Sequence, residues 1–446
     1  FSPSPGQAQV TGDFRSLTTG TWRTAAGWER FNGSNWVTAT AAPTATANGI
    51  AVRDGNVVSI DSNVTFDQGT IEAGGQVTIN PGFTWTMANG AGTDLFVYGT
   101  LLNSGTMSIG SGATWTLASG GTYIHNTTSS FTAPFGSAVV TIAPGSTVIF
   151  RGSSTLATAT SFSGRTFSNL IYESESGTWS IPGPTSGSLN WTVNGDLTVG
   201  ANVRFSYGTG WTGNSLFNGN VTVDGVLGDG GTARSFTIAN GKELSLSATG
   251  SVNVAAGRVV TIASGGSASM DGGTVEGAGN FTLASGATLV TSHANGLDGA
   301  ITVAGTKALS AGANFEFRGA GTGTSLPGTV NNLTINRTAG DVTLEGGTAT
   351  QTINGTLNVL SGTLARGATT ATVNAGSVIM RDTQINSNLA LALSGGVTFD
   401  ATNNGTATIA GSVNLGASAR TFAIANGSAA VDMLVSGNVF GAGGVA

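Results

Sequence analysis

Hydrophobic residues in this chain fall in short alternating runs. Val57-Val58-Ser59-Ile60, Gln76-Val77-Thr78-Ile79, Thr84-Trp85-Thr86-Met87 and Val140-Thr141-Ile142 each place apolar side chains two positions apart. That period is the signature of a strand with one face buried. Asn-Gly, Pro-Gly, Ser-Gly and Gly-Gly pairs separate the runs and read as turns. No window repeats apolar residues at i, i+3, i+4 and i+7 without a Gly or β-branched residue intervening, so helices are not expected.

The runs repeat as phrases. One is apolar, Thr, Ile or Leu, Ala, any residue, Gly. It begins at Val140, Phe236, Val260 and Phe281, and again at Phe422 with Ala for Thr. A second is a turn Gly followed by alternating apolar residues, as in NGDLTV from Asn194, NGNVTV from Asn218, TGSVNV from Thr249, NGTLNV from Asn354 and AGSVNL from Ala410. Copies recur every ~20–30 residues, too short for a domain and right for one coil of a solenoid. The expected fold is all-β: a right-handed parallel β-helix (β-solenoid) with an N-terminal cap. At ~22 residues per coil, about 18 coils of three short strands would stack at ~4.8 Å into a rod of ~90 Å. Gly and Asn would take the positive-φ corners. A string of β-sandwiches would need longer strands and looser repetition.

Two segments depart from the phrases. Trp22, Trp28 and Trp36 cluster near Arg15, Arg23, Glu29 and Arg30, and no Trp follows Trp211. The first coil of a solenoid has an open edge that invites aggregation. Residues 1–50 are therefore expected to cap a solenoid spanning 51–446. The alternative is an aromatic platform in which Trp22, Trp28 and Trp36 contact glycans. Residues 151–192, with ESESGTW and IPGPTSG, are expected as longer loops protruding from the solenoid. The tail VFGAGGVA restarts a phrase that VEGAGNF completes at 275–281, so the chain is expected to be the N-terminal part of a longer molecule.

Composition narrows the function. Charged residues are 9% of the chain, against roughly 25% in ordinary domains, and Gly accounts for 71 of 446 residues. Hydrophobic residues still reach 39%, enough to offset ordering entropy. With a net charge of −6 and no basic patch, nucleic acid is not an expected partner. No apolar run approaches the ~18 residues of a membrane helix, so membrane insertion is not expected. Cys is absent, which removes disulfides and thiolate metal sites. The chain begins at Phe1, and Gly6-Gln7-Ala8-Gln9 has the small residues of a signal-peptidase site, so export is expected.

Two long stretches carry a resemblance. Residues 12–60 (GDFRSLTTGTWRTAAGWERFNGSNWVTATAAPTATANGIAVRDGNVVSI) and 288–344 (TLVTSHANGLDGAITVAGTKALSAGANFEFRGAGTGTSLPGTVNNLTINRTAGDVTL) resemble large secreted cell-surface repeat proteins of Bacteroidetes-type bacteria, as does TINGTLNVLSGTL at 352–364. The resemblance implies an adhesin-like surface protein exported by type IX secretion, with a C-terminal sorting domain beyond this sequence.

β-Helices also include pectate lyases and polygalacturonases, which need clustered carboxylates with Ca²⁺ or a basic residue. Glu173 and Glu175 share a strand face, with Trp179 following, and are expected to be a solvated edge and not a catalytic pair. Asp229 in Gly-Asp-Gly-Gly reads as a turn. His125 and His293 have no second ligand at metal spacing. There is no Gly-x-Ser-x-Gly elbow with a His partner and no regular Asp repeat for Ca²⁺. Thr84-Trp85-Thr86 and Thr114-Trp115-Thr116 would align as an ice-binding hydroxyl array only if they stacked. No catalytic residue, cofactor or metal is expected. The expected role is a non-enzymatic stalk, adhesin, filament or surface-layer subunit that self-associates or binds other surface or secretion proteins, and possible glycan ligands. The alternative is a polysaccharide lyase or hydrolase, or a carbohydrate-binding protein, on the same scaffold.

Overall fold

The computed structural model describes residues 9–128, 134–136, 139–153, 164–183, 186–345, 349–367, 371–403 and 405–446. The protein is a parallel β-solenoid of about 16 turns with 2% helix. The count falls short of about 18 because many coils exceed ~22 residues. Val57 pairs with Gln76, a step of 19 residues, but Leu170 pairs with Leu197, a step of 27. The chain divides into two compact units, residues 1–219 and 220–446.

In the first unit one ladder runs through Val57–Ile60, Gln76–Ile79, Thr100–Asn103, Thr122–His125, Thr147–Ser153, Asn169–Ser176 and Leu197–Val199. A second runs through Phe14–Ser16, Ile50–Val52, Gly69–Ile71, Leu95–Val97, Trp115–Leu117 and Val140–Ile142. All these pairings are parallel, and buried and half-buried residues alternate along the strands. The core is aromatic. Phe66 stacks on Trp85 at 4.1 Å, Phe150 on Tyr172 at 5.3 Å, Trp191 on Phe205 at 5.5 Å and Tyr207 on Trp211 at 5.5 Å.

The cap differs in detail from residues 1–50. Phe14–Ser16 and Gly20–Thr21 already pair in parallel with the strands above them, so the first rung starts at Phe14. The chain then leaves through a 3-10 turn at Ala25–Gly27. It returns as Trp28–Phe31, antiparallel to Phe14–Ser16, and Trp36–Thr38 pairs antiparallel with that strand in turn. This excursion covers the outer edge of the first rung, the exposed-edge problem that a solenoid end must solve. Of residues 151–192, expected as loops, 154–163 and 184–185 lie outside the described residues. So do residues 6–8 of the export motif. The rest contributes rungs: Asn169–Ser176, Trp179–Pro182 and Trp191–Val193 all join ladders, and Trp179 and Trp191 are buried.

In the second unit the main ladder runs through Val221–Val223, Glu243–Leu246, Ser267–Met270, Thr288–Thr291 and Asn314–Phe317, then into Leu333–Leu344 and Thr350–Arg366. The repeated phrase has a direct meaning here. Phe236 pairs with Val260, and Val260 with Phe281, so three copies lie on top of one another. Their glycines, Gly241, Gly265 and Gly286, turn the corner at φ of 69°, 73° and 78°. Gly241 N donates to Gly265 O at 2.9 Å, and Gly265 N to Gly286 O at 3.2 Å, so the corner itself is a ladder. Further on, the short-strand expectation fails. Thr350–Arg366 is 17 residues long and passes through Asn354-Gly355 as a strand, with a register shift between Ile353 and Thr356. A bulge bends the chain where a turn was read.

Candidate functional site

The Trp cluster is the first place to look. Trp22 and Trp28 are each 1% exposed. Their rings meet edge to face at 5.1 Å, and Trp22 also packs on Trp85 at 5.9 Å. Trp22 Nε1 donates to Pro43 O at 3.0 Å and Trp28 Nε1 to Trp22 O at 2.8 Å. Both rings therefore end the core, with their polar edges satisfied by backbone, and offer no face to a sugar. Trp36 is half-buried and differs. The Arg15 guanidinium lies 4.3 Å from its ring centroid and Phe31 packs at 5.4 Å. Arg15 Nε pairs with Glu29 Oε2 at 2.6 Å, and Arg53 Nη1 lies 3.9 Å from that oxygen.

Beside Trp22 is a cleft of about 490 Å³. It is lined by Trp22, Arg23, the segment 42–46, Asn63, Val64 and Thr65. Arg23 is the one charged residue in this lining and donates from Nη2 to Asn63 O at 3.1 Å. The sequence offers Trp22 as a cap residue, with a glycan platform as the alternative, but does not bring Thr65 or the 42–46 segment beside it, because their approach depends on the excursion of the cap. The run Ala41-Ala42-Pro43-Thr44-Ala45-Thr46 was the available signal: small residues without apolar alternation around a Pro, which lacks the N–H that a ladder uses.

The other candidates are engaged structurally. Glu173 is ion-paired with Arg151 on the neighbouring coil. Glu175 accepts from Asn126 Nδ2 at 2.9 Å. Trp179, imagined beside them, is fully buried. The two carboxylates thus stitch coils. Asp229 sits between residues at positive φ, Gly228, Gly230 and Gly231, and its carbonyl accepts from Thr232 Oγ1 at 2.9 Å. His125 is fully buried, with Nδ1 3.1 Å from Tyr123 Oη. Burial pushes the Tyr123 hydroxyl well above its usual pKa, against a hydrogen bond from Asn103. His293 Nδ1 accepts from Asn295 N at 3.1 Å, which occupies that nitrogen. Thr84 and Thr86 pair with Thr106 and Ser108, whereas Thr116 pairs with Phe96 and Thr141 in another sheet, so the two Thr-Trp-Thr segments do not stack.

Two acidic arrangements were not legible in the sequence. Asp94 is fully buried and accepts from Gly90 N and Thr114 N, each at 2.7 Å, and from Gln68 Nε2 at 3.2 Å. Burial, and then the Asp94 charge, raises the pKa of Asp67. Asp298 accepts from Thr324 N at 2.6 Å, Thr324 Oγ1 at 2.8 Å, Ser325 N at 3.2 Å and also Ser325 Oγ. Burial works to raise its pKa, but these hydrogen bonds, with Lys307 nearby, outweigh burial and hold the carboxyl below the usual value. Among the described residues no group of three or more His, Cys, Asp or Glu converges as a metal site.

No family model, curated protein or solved structure matches the chain.

Proposed function

We propose that this chain is a non-enzymatic extracellular structural protein, a stiff β-solenoid stalk or a filament or surface-layer subunit with adhesive capacity, displayed on a bacterial surface. The observation that carries this reading is where the polar side chains go. They bond from one coil to the next rather than converging on a cleft. Asn63 Oδ1 accepts from Thr84 N at 2.9 Å, Asn190 from Asn214 N at 3.1 Å, Asn280 from Thr306 N at 2.7 Å and Asn332 from Thr356 N at 2.8 Å. Asn218 Nδ2 donates to Asn194 Oδ1 at 2.9 Å. Arg151–Glu173 and Arg381–Asp400 do the same with charges. The Asn residues of these bonds lie at or beside strand ends, and Arg151–Glu173 links two paired strands, at about 1 kcal/mol for each hydrogen bond. A chain held this way resists bending and local opening, which suits a load-bearing support and leaves few groups for acid–base work.

The test is direct. Purified chain is incubated with polygalacturonate, alginate, xylan and cellulose, and separately with proteinase K. The proposal expects long survival under protease and no release of reducing ends or unsaturated sugars. Turnover of any of these polymers would replace it with the polysaccharide-active reading. Glycan contact, if the cap makes any, rests on Trp36, whose ring alone of the three keeps a partly open face. Loss of glycan-array binding in Trp36→Ala, with folding intact, would add that role.

A further inference from the structure

The cap leaves one strand edge open. Val64–Phe66 starts a three-stranded parallel sheet that continues through Thr84–Met87 and Thr106–Ile109. Ala88 N donates to Phe66 O at 2.8 Å. Bonding residues alternate along a parallel strand, so Val64 and Phe66 face the next coil. The Thr65 N–H and C=O therefore face the opposite way, where Val64–Phe66 pairs with no described strand. On that side lies the cleft of about 490 Å³.

The reason is visible in the chain path. Thr21 pairs with Ser59, so a strand beneath Thr65 would be reached some six residues on, near Gly27. There the chain forms the 3-10 turn Ala25–Gly27 and departs into the antiparallel excursion. The first rung is one strand short, and the segment 42–46 lines the gap.

We propose that this gap is a docking slot for a short extended peptide bearing a carboxylate. Thr65 supplies the donor and acceptor that an incoming strand needs, as in strand addition to a sheet edge. Ala42, Pro43 and Ala45 leave room for small alternate side chains. Arg23, the single charge in the lining, selects a carboxylate by a charge-assisted hydrogen bond. The inference does not depend on the stalk reading; an enzyme with this cap would carry the same slot.

The probe is a fluorescein-labelled heptapeptide of alternating threonine and valine ending in aspartate, with an amidated asparagine-ended counterpart, titrated into the full chain by fluorescence anisotropy. The aspartate peptide is expected to bind about tenfold tighter than its counterpart, and Arg23→Gln to erase that difference. Thr65→Pro, which removes the edge N–H, should weaken binding about tenfold or more, while Thr65→Ala stays within about twofold because the main chain is what is read. Amide exchange at Thr65 in the unaltered chain should slow on peptide saturation, a readout independent of how the proline variant folds. Absence of binding, indifference to Arg23→Gln, or unchanged exchange at Thr65 would overturn the proposal. So would dimerisation abolished by Thr65→Pro, since the slot would then belong to a second copy of the chain.

Discussion

The two units use one ladder plan with different cores. In residues 1–219 the interior is filled by Trp22, Trp28, Trp85, Trp115, Trp179, Trp191 and Trp211 with Tyr123, Tyr172 and Phe66, all nearly or fully buried. In residues 220–446 the main ladder buries Leu244, Ala268, Leu289, Phe315 and Leu333 in register, and there is no Trp. Coil length varies alike in both units, from 19 to 27 residues between paired strands beyond the cap in the first and from 18 to 26 in the second, so the aromatic rings set how the interior is filled and not how long a coil is. Strands pair in register in both units, and in the second unit three copies of the repeated phrase lie directly above one another. The same architecture is thus specified once by large side chains and once by repetition.

The largest effects should come from the cores. Trp191→Ala removes a ring that touches Phe205 at 5.5 Å and Phe217 at 5.3 Å, and should cost about 3–5 kcal/mol. Leu289→Ala should cost about 2–5 kcal/mol. Because all Trp residues precede residue 220, tryptophan fluorescence reports the first unit and far-UV circular dichroism reports both. In urea, Trp191→Ala should shift the fluorescence midpoint, and Leu289→Ala should shift dichroism with little change in fluorescence. Equal shifts in both probes for Leu289→Ala would mean that the two cores unfold as one, and the comparison would fail.

Next in size are the corners. Gly265→Ala meets two penalties: φ of 73° and a methyl placed 2.1 Å from Asn240 Oδ1. Left-handed backbone alone costs a non-Gly residue about 1–2 kcal/mol. Gly55→Ala in the first unit has φ of 75° but nothing within 4 Å. Gly265→Ala should therefore exceed Gly55→Ala by about 1 kcal/mol in chemical denaturation, the cost of moving the Asn240 side chain. Equal costs would show that the Asn240 side chain moves aside at no cost, since both corners are bonded to the next coil.

These contrasts mark what the sequence could reveal. Alternation and phrase repetition made the solenoid legible, since Val260-Thr261-Ile262 can pair with its copies in one register. Whether Trp22 and Trp28 faced in or out was not legible, because a Trp ending a core and a Trp gripping a sugar sit in the same local sequence. Asn354-Gly355 misled because a bulge and a turn use the same residues. Asp67 and Asp94, separated by a full coil, were invisible as neighbours until the coil length around them was known. Local pattern predicts the rung; long-range pairing decides the site.

Acid titration separates the units by sign. Asp13 and Asp67, in the first unit, have raised pKa values, each chiefly through burial. For a carboxyl raised in the fold, the native state binds more protons, so its contribution grows as pH falls from the raised value toward the unfolded value near 3.8. Asp298, in the second unit, is lowered, so its contribution is full above that unfolded value and is lost as pH falls through the folded one. Between pH ~5 and ~3 the dichroism midpoint should fall relative to the fluorescence midpoint. Asp298→Asn should lower stability near neutral pH and flatten that fall. A parallel decline in both probes would remove the distinction.

The smallest effect expected is at the surface. Arg318 Nε, just past the end of the strand Asn314–Phe317, lies 2.7 Å from Glu316 Oε1 two residues earlier, with the Arg side chain 46% exposed. Arg15 instead pairs with Glu29, covers Trp36 and is 19% exposed. An exposed pair gains little over solvated ions and is screened by salt, so Arg318→Ala should change stability by under about 0.5 kcal/mol. Arg15→Ala loses packing and a cation–π contact as well, and should cost about 1 kcal/mol with weaker salt dependence. Measuring both at low and high ionic strength decides the point. If Arg318→Ala proves the costlier, exposure is not what sets the contribution of these ion pairs.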